Sequence, residues 1–293
     1  MLKKILTLKN MKTSNKILIA LAVALIIIPI IVVAITVKLN YADQKSAVAE
    51  NKTIEHFATP TAGFVSSEIN KPFTRIQVTD AKGLFLNIQL IKDSKSGIKI
   101  SENDKSLINF ETDGNGVLQI TIKDTGNNKG NYSSIVIYSP NFTALSMAKG
   151  RGLSLTANVD SLQLDAGELD DVSIGSETKM KTLTATLNKV GRLNFDNNLK
   201  VDVISLNLKN SNFESESTSC KSLTVNAYGN SDIAISGENN SSKKFQIENL
   251  YIKTTGKSNL KVEDIIVNKS SGSLSDSTTV NMSAAILKTM FNK

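Results

Sequence analysis

Carboxylates are the residues of this sequence most suited to catalysis. Two of them on either side of a glycosidic bond can hydrolyse it, one as general acid and the other as nucleophile or general base. Asp171 and Asp232 occupy one position of a repeat described below, and Arg192 and Asn259 occupy it in two other copies. Counted along the repeat, the acids lie three layers apart, or about 14 Å at ~4.8 Å per layer. Glycosidase carboxylates lie about 5–9.5 Å apart. The spacing predicts no catalytic pair, and Arg192 between the acids indicates charge balance on a solvated face.

The remaining reactive residues are too few for a known type of site. The only histidine, His56, precedes the strand-rich region, and the only cysteine, Cys220, lies far from it in the sequence, which predicts neither a zinc site nor a histidine-activated nucleophile. Cys220 is predicted to be a buried free thiol, with an interchain bridge as the alternative. The KGRG segment at 149–152 has no helix after it and is predicted to be a turn rather than a phosphate loop. We therefore predict no catalytic, metal-binding or cofactor-binding residue and leave ligand-binding residues open.

The net charge of the chain, +7, comes mainly from its N-terminus. Residues 1–40 contain six lysines and no acid, whereas the rest of the chain contains 28 basic and 27 acidic residues. A nucleic-acid-binding domain carries its basic surplus on the folded surface, because phosphate neutralisation supplies most of the affinity. The charge distribution therefore predicts no nucleic-acid partner.

Residues 17–37 read ILIALAVALIIIPIIVVAITV and contain no charged side chain. A helix from Ile17 to Val37 would span about 32 Å at 1.5 Å per residue, enough for a hydrocarbon core of ~30 Å. Five lysines precede the segment and one follows it, which predicts a cytoplasmic N-terminus. A cleaved signal peptide is the alternative, although its apolar core is usually ~7–15 residues.

The expected organisation is that of a single-pass protein with a signal-anchor. Residues 1–16 form a cytoplasmic tail, 17–37 a transmembrane helix, 38–69 a juxtamembrane linker and 70–293 a domain that faces the periplasm or the cell exterior. Met1 and Met11 both remain open as the translation start, because Met11 precedes a shorter basic segment and the same apolar run.

Strand periodicity begins near Phe73, where apolar and polar residues alternate. The DGNG sequence at 113–116 predicts a tight turn between two strands, because these residues accept positive φ. Four later segments share one layout, with an apolar pair at i and i+2 and another at i+10 and i+12. Their first pairs are Leu162/Leu164, Leu183/Ala185, Leu223/Val225 and Leu250/Ile252.

The spacing between repeats predicts stacked coils. The lead leucines at 145, 162, 183, 206, 223 and 250 are 17, 21, 23, 17 and 27 residues apart. A period near twenty with strand-type pairs predicts an all-β fold, a parallel β-helix or solenoid over about 134–282 with the leucines inside. A sandwich of antiparallel hairpins is the alternative. The strands of 73–123 are expected to cover one end and a helix at 283–290, with Ile286, Leu287 and Met290 on one face, the other.

The sequence resembles the auto-transporter adhesin head GIN domain family of bacterial envelope proteins over about residues 70–280. The resemblance is carried by KPFTRIQVTDAKGLFLNIQLIKDSKSGIKI, by INFETDGNGVLQITIK and by degraded Ser-Gly turns such as AYGNSD and TTGKSN. It implies a right-handed β-helix-like fold and an extracytoplasmic location, and it carries over no ligand residues. This chain departs from many relatives in its long apolar segment and in lacking a lipobox cysteine.

We expect a non-enzymatic, membrane-anchored binding or structural module of the envelope, adhesin-like in its role. The expected partners are the membrane, through Ile17 to Val37, and an envelope polysaccharide or protein; the oligomeric state is left open. The alternative is a polysaccharide-acting enzyme of the β-helix kind, or a sugar-binding protein. The absence of tryptophan disfavours sugar stacking, although the tyrosines at 132, 138, 228 and 251 keep sugar binding open.

Overall fold

The computed structural model describes residues 13, 15, 17–19, 21–30, 33, 56–124, 126, 132–237 and 245–291. The chain divides into two units, Met1–Ile54 and Glu55–Lys293. The described residues of the first unit are helical and nearly all exposed. No helix formed by described residues combines the length and the apolarity needed to cross a membrane. The predicted transmembrane segment from Ile17 to Val37, the predicted tail and the start of the predicted linker lie partly outside the described residues.

Among the described residues of the second unit, nineteen strands form one hydrogen-bonded sheet, which confirms the predicted all-β class. Apolar and polar residues alternate along most strands, so that one side of each strand is buried. The elements are β1 (Phe64–Glu68), β2 (Arg75–Val78), β3 (Phe85–Lys92), β4 (Gly97–Ser101), β5 (Ile108–Thr112), β6 (Val117–Ile122), β7 (Tyr132–Ser139), β8 (Ala144–Met147), β9 (Gly152–Asn158), β10 (Ser161–Ile174), β11 (Lys179–Phe195), β12 (Lys200–Lys209), β13 (Phe213–Glu216), β14 (Cys220–Tyr228), β15 (Ile233–Ser236), β16 (Gln246–Thr255), β17 (Ser258–Glu263), β18 (Ile266–Ser273), β19 (Thr278–Met282) and the helix α1 (Ala284–Phe291).

From β10 onward, each strand lies parallel to its counterpart in the next repeat. Leu162 pairs with Leu183, Leu183 with Ile204, Ile204 with Leu223, and Leu223 with Leu250. All of these side chains are buried. Because strand side chains alternate between two faces, the register that pairs the backbones also stacks the apolar side chains in one core. The inward positions predicted for Leu162, Leu183, Leu223 and Leu250 are confirmed.

The register differs from the predicted one at two lead positions. Leu145 pairs with Leu164 rather than with Leu162, and the partner of Leu183 is Ile204 rather than Leu206. The layers are unequal in length, so the spacing of apolar residues does not identify the stacked partner. Each difference is two residues, which keeps the same side chains on the core side.

The order of layers in space departs from their order in sequence. β2 pairs with β6 on one side and β8 on the other, while β3 pairs with β7 and β9. The layer of β6 and β7 therefore lies outside the layer of β2 and β3, although it follows that layer along the chain. The expectation that residues 73–123 only cover one end is wrong in this respect, because β2 and β3 lie within the parallel stack, by which we mean β2, β3 and β6–β19.

An antiparallel group of strands pairs with the outer layer, which is that of β6 and β7. β4 runs antiparallel to β7 and to β1, and β5 runs antiparallel to β6. The β5–β6 turn is the predicted DGNG turn, in which Asp113 Oδ1 accepts hydrogen bonds from the backbone N–H groups of Asn115 and Val117 at 2.8 and 3.0 Å. We call β1, β4, β5 and residues 56–63 the antiparallel end. Because β1 belongs to it, the predicted linker boundary at residue 69 is too late.

A buried lysine fixes the start of the folded unit. Lys99 on β4 is 0% exposed. Its Nζ donates hydrogen bonds to the carbonyl oxygens of His56 and Thr59, at 3.0 and 2.7 Å, and to Thr61 Oγ1 at 3.1 Å. Burial lowers the pKa of Lys99. The three oxygens replace the water that the ammonium loses, and they tie residues 56–61 to the sheet.

The opposite end of the stack carries α1. Ser283 precedes the helix, and its Oγ accepts a hydrogen bond from the backbone N–H of Ile286 at 3.4 Å. Ile286 and Met290 are buried, whereas Leu287 is only half-buried. Ser270 on β18 donates from Oγ to the carbonyl of Ile286 at 2.8 Å. The helix therefore packs on the last full layer through a two-residue apolar contact and a buried hydrogen bond.

Residues with positive φ mark one corner of successive layers. They are Glu168, Lys189, Asn210, Gly229 and Gly256, with φ of 47°, 58°, 49°, 69° and 107°. The sequence places glycine near four of these five turns but none near Asn210, and Gly167 and Gly191 are not the left-handed residues of the first two corners. Close stacking still restricts the later ones, because a Cβ on Gly256 would approach the carbonyl oxygen of Gly229.

Candidate functional site

The first predicted carboxylate position is an ion-paired surface column. Asp171 on β10 lies beside Arg192 on β11, with 3.0 Å between Asp171 Oδ1 and Arg192 Nε. Arg192 also reaches Glu214 in the next layer, at 3.5 Å between Nη1 and Oε2. The hydrogen bond and charge of Asp171, with the charge of Glu214, raise the pKa of Arg192. Asp171 is thus engaged by a cation rather than by a second acid.

The second predicted carboxylate is equally occupied. Asp232 Oδ1 accepts hydrogen bonds from the backbone N–H and the Nδ2 of Asn259, both at 2.9 Å. The backbone N–H of Asp232 donates to Asn212 Oδ1 at 3.0 Å. Asn212 lies in the layer between Arg192 and Asp232, so Asp171 and Asp232 lie three layers apart, or about 14 Å. The structure does not bring these acids together.

The remaining predicted positions also lie apart from one another. His56 is exposed and lies 3.5 Å from Asp93, between Nδ1 and Oδ2. Cys220 is a buried free thiol, and burial raises its pKa to about 12, so it remains a protonated and unreactive core residue at neutral pH. The 149–152 segment is the bend between β8 and β9, and its Lys149 carbonyl accepts a hydrogen bond from the Ala81 N–H at 2.8 Å. Within the described ranges, no group of three or more metal-ligating side chains occurs.

A groove that the sequence analysis does not predict crosses several layers on one side of the parallel stack. Its volume is about 850 Å³. Lysines and two aspartates line its walls, and buried apolar side chains form its floor. The charged residues are Lys92, Lys179, Lys181, Lys200, Asp160 and Asp202; the apolar ones are Val159, Met180, Leu199, Val201 and Phe245. We call it the side groove; four lysines against two aspartates give it a net charge of +2.

One set of groove charges is paired along the stack. Asp160 lies between two lysines, with Oδ2 at 3.3 Å from Lys92 Nζ and Oδ1 at 3.5 Å from Lys181 Nζ. Asp202 continues the alternation, with Oδ2 at 3.1 Å from Lys221 Nζ. The hydrogen bond and charge of Lys92, with the charge of Lys181, hold the pKa of Asp160 below its usual value. These charges balance one another on the surface of the protein.

A second set of groove lysines lacks such partners. Lys179 pairs in register with Asn158 on β9 and with Lys200 on β12, so three layers present Asn, Lys and Lys in one column. Both lysines are exposed and line the side groove. Among the described residues, no ion pair involves Lys179 or Lys200. Two ammonium groups on neighbouring strands, whose backbones are about 4.8 Å apart, repel each other unless an anion lies between them.

Uncharged polar groups adjoin these lysines. Asn158, Asn198, Ser217 and Ser219 line the same groove. Ser217 is 2% exposed, and its Oγ is buried without a hydrogen-bond partner among the described residues. A smaller hollow of about 400 Å³ shares Lys92, Val159 and Asp160 with the side groove and extends the concave surface along β10. This region can therefore bind a ligand through its ammonium, amide and hydroxyl groups.

The signal for the side groove is present in the sequence but weak. Lys179 and Lys200 are 21 residues apart, which equals the spacing of Leu162 and Leu183. They lie four residues before the register partners Leu183 and Ile204, outside the apolar pairs that define the repeat. Because the predicted lead position after Leu183 is Leu206, an alignment of the repeats would set Lys179 beside Asp202, and only the structural register shows the pair.

No protein-family model matches the sequence, and no curated protein matches it. Several solved structures are similar. A "putative adhesin" from Parabacteroides merdae is 14% identical, with 75% of this chain and 96% of that chain covered at a TM-score of 0.43. Another from Bacteroides fragilis is 14% identical, with 76% and 99% covered at a TM-score of 0.38. A "putative lipid binding protein" from Parabacteroides distasonis is 16% identical, with 75% and 97% covered at a TM-score of 0.38. Identity and TM-score are too low for these proteins to indicate what this chain binds.

Proposed function

We propose that this chain is a non-enzymatic binding module of the cell envelope, built as a right-handed β-solenoid and held at the membrane by the segment from Ile17 to Val37. The side groove is the observation that carries the binding role. It crosses successive parallel layers, has about 850 Å³ of volume and presents side chains with unbalanced positive charge. Stacked layers form long surfaces that suit extended partners. The resemblance to the head GIN family accords with such a role.

The acids of the stack favour binding over catalysis. Asp171 is paired with Arg192, and Asp232 is occupied by Asn259. A glycosidase needs one carboxyl group that holds a proton and a second at about 5–9.5 Å. Asp160 and Asp202, the acids of the side groove, are both engaged by lysines. A sugar chain in the side groove would therefore be held rather than cleaved.

Photo-crosslinking in cells that make the full chain tests the binding role. A photoreactive residue replaces Ser219, which lines the side groove, or Thr186, an exposed residue of β11 outside it. We expect irradiation to give high-mass adducts from position 219 and few from position 186. Adducts of equal yield at both positions, or none at either, would contradict a binding role for this surface.

The membrane anchor is tested separately by the mass of the purified protein. Retention of the segment from Ile17 to Val37 requires a mature protein that includes it, recovered in the membrane fraction. An N-terminus near Asp43 or Glu50 would instead indicate a cleaved signal peptide and a released domain. This outcome would remove the anchor from the proposal and leave the binding role to the crosslinking result.

A further inference from the structure

We propose that the side groove binds an anionic polysaccharide, with acidic groups of the polymer held between Lys179 and Lys200. This inference rests on the proposed binding function and names the ligand class of the same groove. The two lysines are register partners in neighbouring parallel strands, and both are exposed to the groove. A ligand anion between them would relieve their repulsion and would be attracted by both ammonium groups.

The arrangement of charges in the groove identifies the part of the wall that is available to an anion. Asp160 forms ion pairs with Lys92 and Lys181, and Asp202 forms one with Lys221. Lys179 and Lys200 lie in the adjacent column without a described carboxylate partner. The surplus of positive charge is therefore concentrated at one position, where the described residues supply no counter-ion. A polymer with regularly spaced acidic groups could place one of them there while neighbouring units extend along the groove.

The backbone geometry disfavours an acidic peptide in the same place. Peptides that bind sheets usually add as a strand to a free edge and use main-chain hydrogen bonds. The strand segment that carries Lys179 is paired on both sides, with Asn158 and with Lys200, whereas the ladder between β12 and β14 begins only at Val203. A ligand at Lys179 therefore meets side chains rather than free backbone groups. Polysaccharides are recognised through side chains, so the paired backbone does not hinder them.

The uncharged neighbours of the lysines match sugar hydroxyls. Asn158 and Asn198 offer amide donors and acceptors, and Ser219 offers a hydroxyl. Ser217 also lines the groove, but its Oγ is inaccessible and has no partner among the described residues, so the indication of a ligand comes from the lysines and from the exposed polar neighbours.

Lysine is a compact point charge and does not select between carboxylate and sulfate or phosphate groups by geometry. The polysaccharide can therefore owe its charge to either kind of group, and the test includes both. The full chain in detergent is titrated against labelled oligogalacturonate, labelled sulfated dextran oligosaccharide and labelled neutral dextran oligosaccharide, with binding followed by fluorescence anisotropy. We expect one or both acidic probes to bind and the neutral probe not to bind.

The decisive variant is Lys179→Gln with Lys200→Gln. Loss of two exposed charge-assisted contacts is expected to weaken acidic-probe binding about five- to thirtyfold. The matched control is Lys253→Gln with Lys257→Gln, which removes the same charge from exposed positions outside the groove and is expected to change the affinity less than about twofold. Unchanged thermal unfolding of both double variants shows that they remain folded.

Three results would overturn the inference. Equal losses in the two double variants would show general electrostatic attraction, and equal binding of polyglutamate would show that sugar is not recognised. If neither acidic probe bound while position 219 still gave specific adducts in cells, the ligand class would be wrong and the proposed binding function would stand. The absence of adducts from position 219 would instead contradict the proposed binding function itself.

Discussion

The antiparallel end and the parallel stack treat charge in opposite ways. The antiparallel end buries Lys99 and satisfies its ammonium group with three oxygens of residues 56–61. Among the described residues of the parallel stack no charged side chain is buried, and ion pairs such as that of Asp171 and Arg192 lie on its surface. The stack gains its stability from many equivalent apolar contacts, whereas the antiparallel end depends on the hydrogen bonds of Lys99, the buried charged residue among those that the structure describes.

The difference indicates which substitutions each region tolerates. In the stack, a charged surface residue has register partners in the layers on both sides of it. The removal of one charge therefore leaves the neighbouring residues of that column in place. In the antiparallel end, Lys99 and Phe57 form one cluster with Tyr138 of β7, with ring centroids of the two aromatic residues 5.5 Å apart and Lys99 Nζ 5.0 Å from the Tyr138 ring. A substitution there should release a segment, while only a core substitution should disrupt the stack.

The largest expected effect is that of Leu183→Asp in the stack. Leu183 lies between Leu162 and Ile204 and is fully buried, so an unpaired carboxylate there costs several kcal/mol, comparable with the total stability of a domain. We expect the variant to fail to fold by circular dichroism. Thr184→Asp, one residue along on the outward face, is the control and should retain the native spectrum. Equal tolerance at both positions would contradict the inward register of this strand.

A smaller but still large effect is expected for Lys99→Met in the antiparallel end. The substitution removes the donor of three partly buried hydrogen bonds and leaves their acceptor oxygens without it. It should cost about 2–4 kcal/mol of stability. Hydrogen exchange should show faster exchange confined to residues 56–68 and β4, with the stack protected as in the native protein.

The control for this prediction is Lys95→Met, which changes an exposed lysine of the loop before the same strand. It should leave exchange in residues 56–68 unchanged. If Lys99→Met instead lowered protection uniformly through β10–β19, the two regions would unfold as one unit, and the contrast between them would be lost.

A pH series distinguishes the contact between Asp93, in the β3–β4 turn, and the antiparallel end from the surface ion pairs of the stack, by an effect of intermediate size. Burial raises the pKa of Asp93, but hydrogen bonds from the backbone N–H groups of Lys95 and Phe57 outweigh it and lower the pKa. A lowered folded-state pKa stabilises the protein above the unfolded pKa of about 3.9, and this contribution is lost as the pH falls through the folded-state pKa. Asp93→Asn should therefore cost about 1–2 kcal/mol at neutral pH and progressively less below about pH 4.

Asp160→Asn is the counterpart in the stack. Its carboxylate is held by the exposed lysines Lys92 and Lys181, so its contribution has the same sign with pH but should disappear in 0.5 M salt. The Asp93 contribution comes from backbone donors and should persist in salt. Denaturant unfolding midpoints of the native protein and of both variants, measured in low salt and in 0.5 M salt, test the contrast. Identical salt responses of the two variants would contradict it.

A small effect is expected for Asp171→Asn. The variant breaks an exposed pair with Arg192, which retains Glu214 as a second partner, so the change should be below about 1 kcal/mol. A loss of several kcal/mol in thermal unfolding would show that surface columns contribute to the stack as strongly as its core.

The smallest expected effect is that of reductant. Cys220 is a buried free thiol, and its pKa of about 12 keeps it protonated, so unfolding curves with and without reductant should coincide. Modification by a thiol reagent should occur only in denaturant. A large loss of stability on reduction would reveal an interchain disulfide.

Much of the stack could be predicted from the sequence, because apolar alternation identifies the buried face of every long strand. The pairs that begin at Leu162, Leu183, Leu223 and Leu250 are all buried. The DGNG turn was equally clear, since its side-chain and backbone hydrogen bonds are local. The side groove could not be predicted in this way, because it is formed by Lys179, Lys200 and their neighbours across three layers and depends on which residues are stacked.

The sequence by itself determined the all-β class, the inward leucines and the three-layer separation of Asp171 from Asp232, because these follow from side-chain alternation and from the order of the repeats. Only the tertiary structure decided that β2 and β3 lie inside the stack, that Ile204 follows Leu183, and that Lys99 is buried. The physical reason is that alternation specifies the face of a strand but not its neighbour. Layers of unequal length and a chain that crosses over an earlier layer leave that choice to packing and to hydrogen bonds between distant residues.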